Sequence, residues 1–208
     1  MIDKNNKIDQ NYFWLNQPTY EIKNHKLYMS TSPDTDFWQK TYYGFERDNG
    51  HCLLTKVIND FSVTVSTEFY PKKQYDQCGL MVRIDSENWI KTSTEYDTEN
   101  YSRLGSVVTN LGYSDWATID INSKINKMWY RIQSKKNDFI IEYSDDGISW
   151  KQLRITHLHS KFNELNVGIY ACSPMDSTFD VVFDSYLLEK KGKSDQENLK
   201  IFKEVKLK

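Results

Sequence analysis

Cysteine is scarce in this chain of 208 residues: Cys52, Cys78 and Cys172 are odd in number, widely spaced and form no CxxC pair. That pattern argues against a disulfide framework and for free thiols in a reducing compartment. No apolar run approaches the length of a membrane-spanning helix, so no membrane role is expected. The opening residues Met1 to Gln10 hold no apolar h-region, and a cytoplasmic protein is the expectation. Blocks of like charge are missing from the body of the chain as well. The 27 Lys and Arg stand against 29 Asp and Glu, a formal net charge of −2, which leaves no basic surface for nucleic acid.

Familiar catalytic signatures are absent too. The chain has no Gly-rich phosphate loop, no GxSxG and no Cys-His nucleophile setting. His25, His51, His157 and His159 lie outside HExxH spacing; His157 and His159 would share a strand face, two zinc donors in want of a third. Asp145-Asp146-Gly147 lacks the further oxygen ligands of an EF-hand and reads as a hairpin turn, with Gly147 at positive φ and Trp150 returning to the core. No catalytic residue, metal or cofactor is therefore expected.

What the chain does hold is short alternation. Phe61, Val63, Val65 and Phe69 alternate with polar residues, a pattern that buries one face of a strand but would scatter around a helix. Lys127 to Gln133 and Phe139 to Ser144 read as consecutive antiparallel strands, and Phe179, Val181 and Phe183 alternate near the end. About a dozen such runs, with turn residues about every ten positions, mark an all-β sandwich or barrel. The length suits one domain, expected over 1–188, with 189–208 as a charged tail in which Leu199 to Lys208 forms one last weak alternation.

Tyr75 to Tyr96 reads as a β-hairpin turned at Asp85-Ser86-Glu87-Asn88. Period two puts Leu80, Val82 and Ile84 on one face and Gln77, Gly79, Met81 and Arg83 on the other. On the return strand Trp89, Lys91, Ser93 and Glu95 share a side, so a lysine, a carboxylate and a tryptophan fall together. That grouping is either an ion pair on a solvated sheet, which contributes little, or part of a binding groove. The Glu95-Asp97-Glu99 triplet copies a glucanase spacing only superficially. Residues four apart on a strand are separated by about 13 Å, against the roughly 5 to 5.5 Å of a retaining carboxyl pair.

The string Tyr75-Asp76-Gln77-x-Gly79-Leu80-Met81-Val82, followed by Trp89-Ile90-Lys91 and Glu95, resembles a family of uncharacterised proteins named after the fungal "regulation of enolase" protein. Thr35-Asp36-Phe37-Trp38, Ser106-Val107-Val108-Thr109 and Ser114-Asp115-Trp116 extend the likeness, in the family's order, over roughly Trp14 to Leu188. The resemblance implies a single antiparallel β-sandwich of the concanavalin A-like, jelly-roll kind, a fold shared by lectins and glycosidases. It implies no reaction, because a fold hosts many chemistries.

The expected site therefore gathers Asp36, Trp38, Asp76, Gln77, Trp89, Lys91, Glu95, Asp115 and Trp116 around a groove on one sheet. For Asp76 a capping role competes, and for Asp115 a turn role. The expected function is non-enzymatic binding of a carbohydrate-like small molecule or a protein partner. The alternatives are a glycoside-active enzyme with carboxylates from different strands, such as Glu95 with Asp76 or Asp36, and a regulatory interaction module.

Overall fold

The computed structural model describes residues 1–191. Sixteen strands and no helix run along them. They are β1 (Tyr12–Leu15), β2 (Thr19–Lys23), β3 (Lys26–Ser30), β4 (Phe37–Gln39), β5 (Glu46–Asp48), β6 (His51–Val57), β7 (Phe61–Tyr70) and β8 (Gln77–Asp85). The second half holds β9 (Asn88–Tyr96), β10 (Tyr101–Asn110), β11 (Tyr113–Asn122), β12 (Lys127–Lys135), β13 (Asp138–Ser144), β14 (Lys151–His157), β15 (Leu165–Cys172) and β16 (Asp180–Lys190). One seven-stranded sheet has the order β1-β6-β15-β8-β9-β10-β11, the other β14-β13-β12-β7-β16-β3-β2, and β4-β5 forms a separate hairpin. Every pairing is antiparallel.

Turn chemistry connects the strands with little loop. Asn24 and His25 take φ of 51° and 59° between β2 and β3, the left-handed pair that a two-residue hairpin requires. Leu111 and Gly112 repeat it at 52° and 77° between β10 and β11. The two large sheets face each other across a core in which Phe61, Val63, Val65 and Phe69 of β7 meet Leu80 and Val82 of β8 and Ile90 of β9. Tyr130 of β12 crosses that core, where its hydroxyl donates to Thr94 Oγ1 and accepts from the Thr94 amide, each at 2.8 Å.

A second, smaller core lies on the opposite face of the first sheet. Met81, Trp89, Val107, Tyr170, Cys52, Leu54 and Cys172 are covered there by Phe37 and Trp38 of the β4-β5 hairpin. The first sheet is thus buried on both sides around β8 and β9, and polar residues of those strands are buried with it.

Several expectations change. Four of the strands, β1, β4, β5 and β14, are weak in sequence because they lie at edges or in the covering hairpin. The half-exposed edge strand β11 runs for ten residues and carries Ser114-Asp115-Trp116 at its start. Trp150 stays out of the core, half-buried in the turn before β14 with the Arg131 guanidinium 4.0 Å from its ring centre, because Arg131 alternates with the core residues Tyr130 and Ile132 and so lies on the outer face of the sheet. Gly147 does take a positive φ, 75°. β16 continues through Lys190, pairing with Phe61, two residues past the expected domain limit. The charged stretch beyond residue 191 and the Leu199 to Lys208 alternation lie outside the described residues. Cys52, Cys78 and Cys172 are buried and unpaired.

Candidate functional site

Registers on the first sheet bring the outward-facing residues of five strands into one row: Cys172, Gln77, Glu95, Arg103 and Asp120. The next row holds Tyr170, Gly79, Ser93 and Gly105, and the one after it Met81, Lys91 and Val107. The glycine is demanded by the sheet itself. A Cβ at Gly79 would lie 1.9 Å from the Thr92 carbonyl oxygen, and its absence leaves the face open beside Tyr170.

The β4-β5 hairpin is tied down over part of this surface. Arg83 donates through both terminal nitrogens to the Asp48 carboxylate at 2.7 Å each, the Gln39 amide donates to Ser114 Oγ at 2.9 Å, and Lys91 Nζ stands 3.3 Å from Asp36 Oδ1. What the hairpin leaves uncovered is a pocket of about 410 Å³. Gln77 and Glu95 line its floor, Trp38, Tyr43 and Phe45 form the hairpin wall, Tyr75 and Trp116 stand across from them, and Asp34, Asp36, Arg47, Pro174 and Met175 complete the rim. Trp38 is edge-on to Tyr43 at 5.4 Å and to Trp116 at 6.5 Å, and its indole N–H donates to the Thr41 carbonyl, which holds the ring in place.

Glu95 is only 8% exposed. Gln77 Nε2 donates to Glu95 Oε2 at 2.7 Å and to the Tyr75 carbonyl at 3.1 Å, while the Tyr170 hydroxyl donates to Gln77 Oε1 at 3.0 Å, so the amide is held in a single orientation. Burial pushes the Glu95 carboxyl up to about 8, with Asp36 and Asp97 adding to the rise and Lys91 and Arg103 opposing it. Burial thus favours the neutral, protonated form of the acid that faces the pocket. Lys91 is fully covered by its surroundings. Burial works against its charge, but Asp36, Cys172 and Glu95 outweigh that and hold its pKa above the ordinary lysine range. Its ammonium also sits 5.8 Å from the ring centres of both Trp89 and Tyr170.

The nine expected site residues thus separate. Asp36, Trp38, Gln77, Glu95 and Trp116 line the pocket. Trp89 and Lys91 lie beneath it: Trp89 is 0% exposed, its N–H donating to the Ser86 carbonyl, so it is packing rather than a stacking platform. Lys91 pairs with Asp36 and not with Glu95, and neither lysine nor carboxyl is solvated. Asp76 accepts from the Lys72 and Lys73 amides at 2.8 and 3.0 Å, the capping role, and is outside the pocket. Asp115 points to the other side of β11, where it pairs with Arg154 at 2.7 Å, because it is one residue from Trp116 on a strand of period two.

The Glu95-Asp97-Glu99 triplet does not converge. Asp97 is taken up by Arg103 Nε and Gln74 Nε2, both at 2.6 Å, and Glu99 is exposed in the turn before β10. His157 and His159 have rings 5.2 Å apart, and no group of three or more His, Cys, Asp and Glu is placed to hold a metal ion among the described residues. Tyr43, Phe45, Arg47 and Tyr170 are not among the expected site residues, and Tyr75 figures in the sequence reading only as the first residue of the family string. A signal for two of them was present: Tyr42-Tyr43-Gly44-Phe45 clusters aromatics around a turn glycine, and Lys40, Tyr42 and Gly44 take positive φ of 57°, 63° and 74° there.

Fold and pocket together define a concanavalin A-like β-sandwich with an aromatic-walled pocket on the outer face of one sheet. The chain belongs to the family described as "Protein of unknown function (DUF1349)", which matches residues 14–191. It is 34% identical over 186 residues to "Regulation of enolase protein 1" of Saccharomyces cerevisiae, covering 89% of this chain and 92% of that one. Two solved structures share the fold at low identity. A GH43 protein, BlXynB of Bacillus licheniformis, matches 89% of this chain and 38% of its own with a TM-score of 0.72 at 15% identity. The carbohydrate binding module CBM66 of Bacillus subtilis matches 86% of this chain and 96% of its own with a TM-score of 0.55 at 13% identity. No helix of the described residues is long and apolar enough to cross a membrane.

Proposed function

We propose that the protein binds a carbohydrate-like small molecule in the pocket between the β4-β5 hairpin and β11. The observation that carries this reading is a buried, oriented polar pair, Glu95 with Gln77, on a floor enclosed by Trp38, Tyr43, Phe45, Tyr75 and Trp116. Small-molecule sites combine apolar walls with a few convergent polar groups, and aromatic faces suit the C–H faces of a sugar ring. A fold shared with a carbohydrate binding module supports the same class.

The test is a thermal-shift screen of mono- and oligosaccharides on the wild-type chain and Trp116→Ala. A ligand that binds only the folded state raises its apparent stability, so at least one saccharide should raise the melting temperature of the wild type and fail to raise that of the variant. If no saccharide acts at millimolar concentration, or if the shift survives in Trp116→Ala, this pocket is not a sugar site.

Glycoside hydrolysis is the second reading, favoured by Asp36 and Glu95 lining the same pocket with only Asp36 ion-paired. Carboxyl groups in different states are what acid and base roles require. Glu95→Gln separates the two readings: it keeps a neutral polar group for binding but ends hydrolysis.

A further inference from the structure

Among the described residues, Glu95 is a buried carboxyl group with no counter-ion of its own. The cations near it are committed elsewhere. Lys91 Nζ faces Asp36 Oδ1 at 3.3 Å and the rings of Trp89 and Tyr170. Arg103 gives its Nε to Asp97 at 2.6 Å and reaches Asp120 at 3.7 Å. The other titratable groups around the carboxyl, Tyr75 before β8, Tyr170 and Cys172 on β15, Asp36 and Asp97, bring no positive charge. At the rim, Arg47 Nη1 donates to the Asp34 backbone carbonyl at 3.2 Å. Among the described residues, Glu95 accepts one hydrogen bond, at Oε2 from Gln77.

A carboxyl placed in this way must either hold a proton or meet a cation supplied from outside. The open side of the pocket is walled by the rings of Trp38, Tyr43, Tyr75 and Trp116, and aromatic faces attract ammonium groups through the ring quadrupole. We propose that the pocket takes a ligand bearing an ammonium group, seated among these rings with its charge against Glu95. The inference rests on the pocket being the ligand site and names the class of ligand it accepts: an amine-bearing sugar rather than a neutral one. In the free protein Glu95 keeps its proton up to about pH 8. The arriving cation favours the carboxylate, so that proton passes to solvent as the complex forms.

Isothermal titration of the full chain with glucosamine, N-acetylglucosamine, glucose and choline, in two buffers of different ionisation heat, reads affinity and proton count together. Choline carries a permanent charge, so any proton released on its binding comes from the protein. Glucosamine should bind at least about tenfold more tightly than N-acetylglucosamine, as expected for a hydrogen bond to a charged group. Choline should release close to one proton below neutral pH, and its affinity should climb as pH approaches about 8. In Glu95→Gln both the amine preference and the proton release should vanish.

Neutral sugars that bind as well as the amines, without proton release, would overturn the inference and leave sugar binding standing. Choline bound with proton release while no sugar binds would uphold the ammonium site but overturn the carbohydrate reading, the amine-bearing sugar with it. Silence from all four probes at millimolar concentration would overturn the inference and leave sugar binding to the saccharide screen. The wild-type proton count decides the matter even if the variant fails to fold.

Discussion

A single carboxyl group shows how far burial governs chemistry here. Unfolded, Glu95 ionises near the ordinary 4.5, whereas folded it holds its proton up to about 8. Folding therefore retains a proton that the unfolded chain has already given up. The associated stability is complete below about 4.5, drains away as pH rises toward about 8, and is gone above it. Glu95→Gln removes this titration. The wild-type melting temperature should fall relative to that of the variant across the window, and the two curves should run parallel at higher pH; curves parallel throughout would mean that burial does not perturb the group. His51 runs in the opposite sense. Burial lowers its pKa from 6.5 despite a bond to the Asn16 carbonyl, and its ring accepts from the Ser32 amide at 2.9 Å, so its contribution is lost as pH falls. Both proteins carry His51, and its effect cancels in the comparison.

The strand is the scale at which sequence reading worked best. The faces assigned to β8 and β9 follow from alternation alone: Leu80, Val82 and Ile90 enter the large core, and Met81, Trp89, Lys91 and Glu95 turn the other way. What alternation misses is that this other way is also buried, because the covering hairpin comes from residues 37–48, far away in sequence. Gly79 tests how closely the strands are fitted. A methyl group there would stand 1.9 Å from the Thr92 carbonyl, and backbone cannot yield as a side-chain tip can. Gly79→Ala should therefore cost about 1–3 kcal/mol by overpacking, read as a lower urea midpoint. An unchanged midpoint would show that β8 and β9 lie further apart than the structure places them.

At the scale of the molecule, two sheets share one large core and the first sheet carries a second core on its back. Val63, 0% exposed between the sheets, belongs to the first. Val63→Asp places an unpaired charge there, a penalty of several kcal/mol against a total stability of about 5–15 kcal/mol for an ordinary domain. The variant should lose its cooperative unfolding transition by circular dichroism. A folded variant with an unchanged melting temperature would place Val63 at a surface.

The sequence by itself determined the β class, the inward faces of the long strands, the turns at Asp85 to Asn88 and at Gly147, and the segment on which Gln77 and Glu95 lie. These are local matters, decided by period two and by the few residues that accept left-handed backbone. Only the tertiary structure decided which charges meet. Lys91 is four residues from Glu95 yet pairs with Asp36, because the hairpin folds a carboxylate directly onto it. Asp76 turned to its own loop amides and Asp115 to Arg154, each finding the nearest donor in space. The pocket walls, the upward push on the Glu95 pKa and the burial of Trp89 follow from the same cause: desolvation depends on what covers a side chain, and cover is supplied by segments remote in sequence.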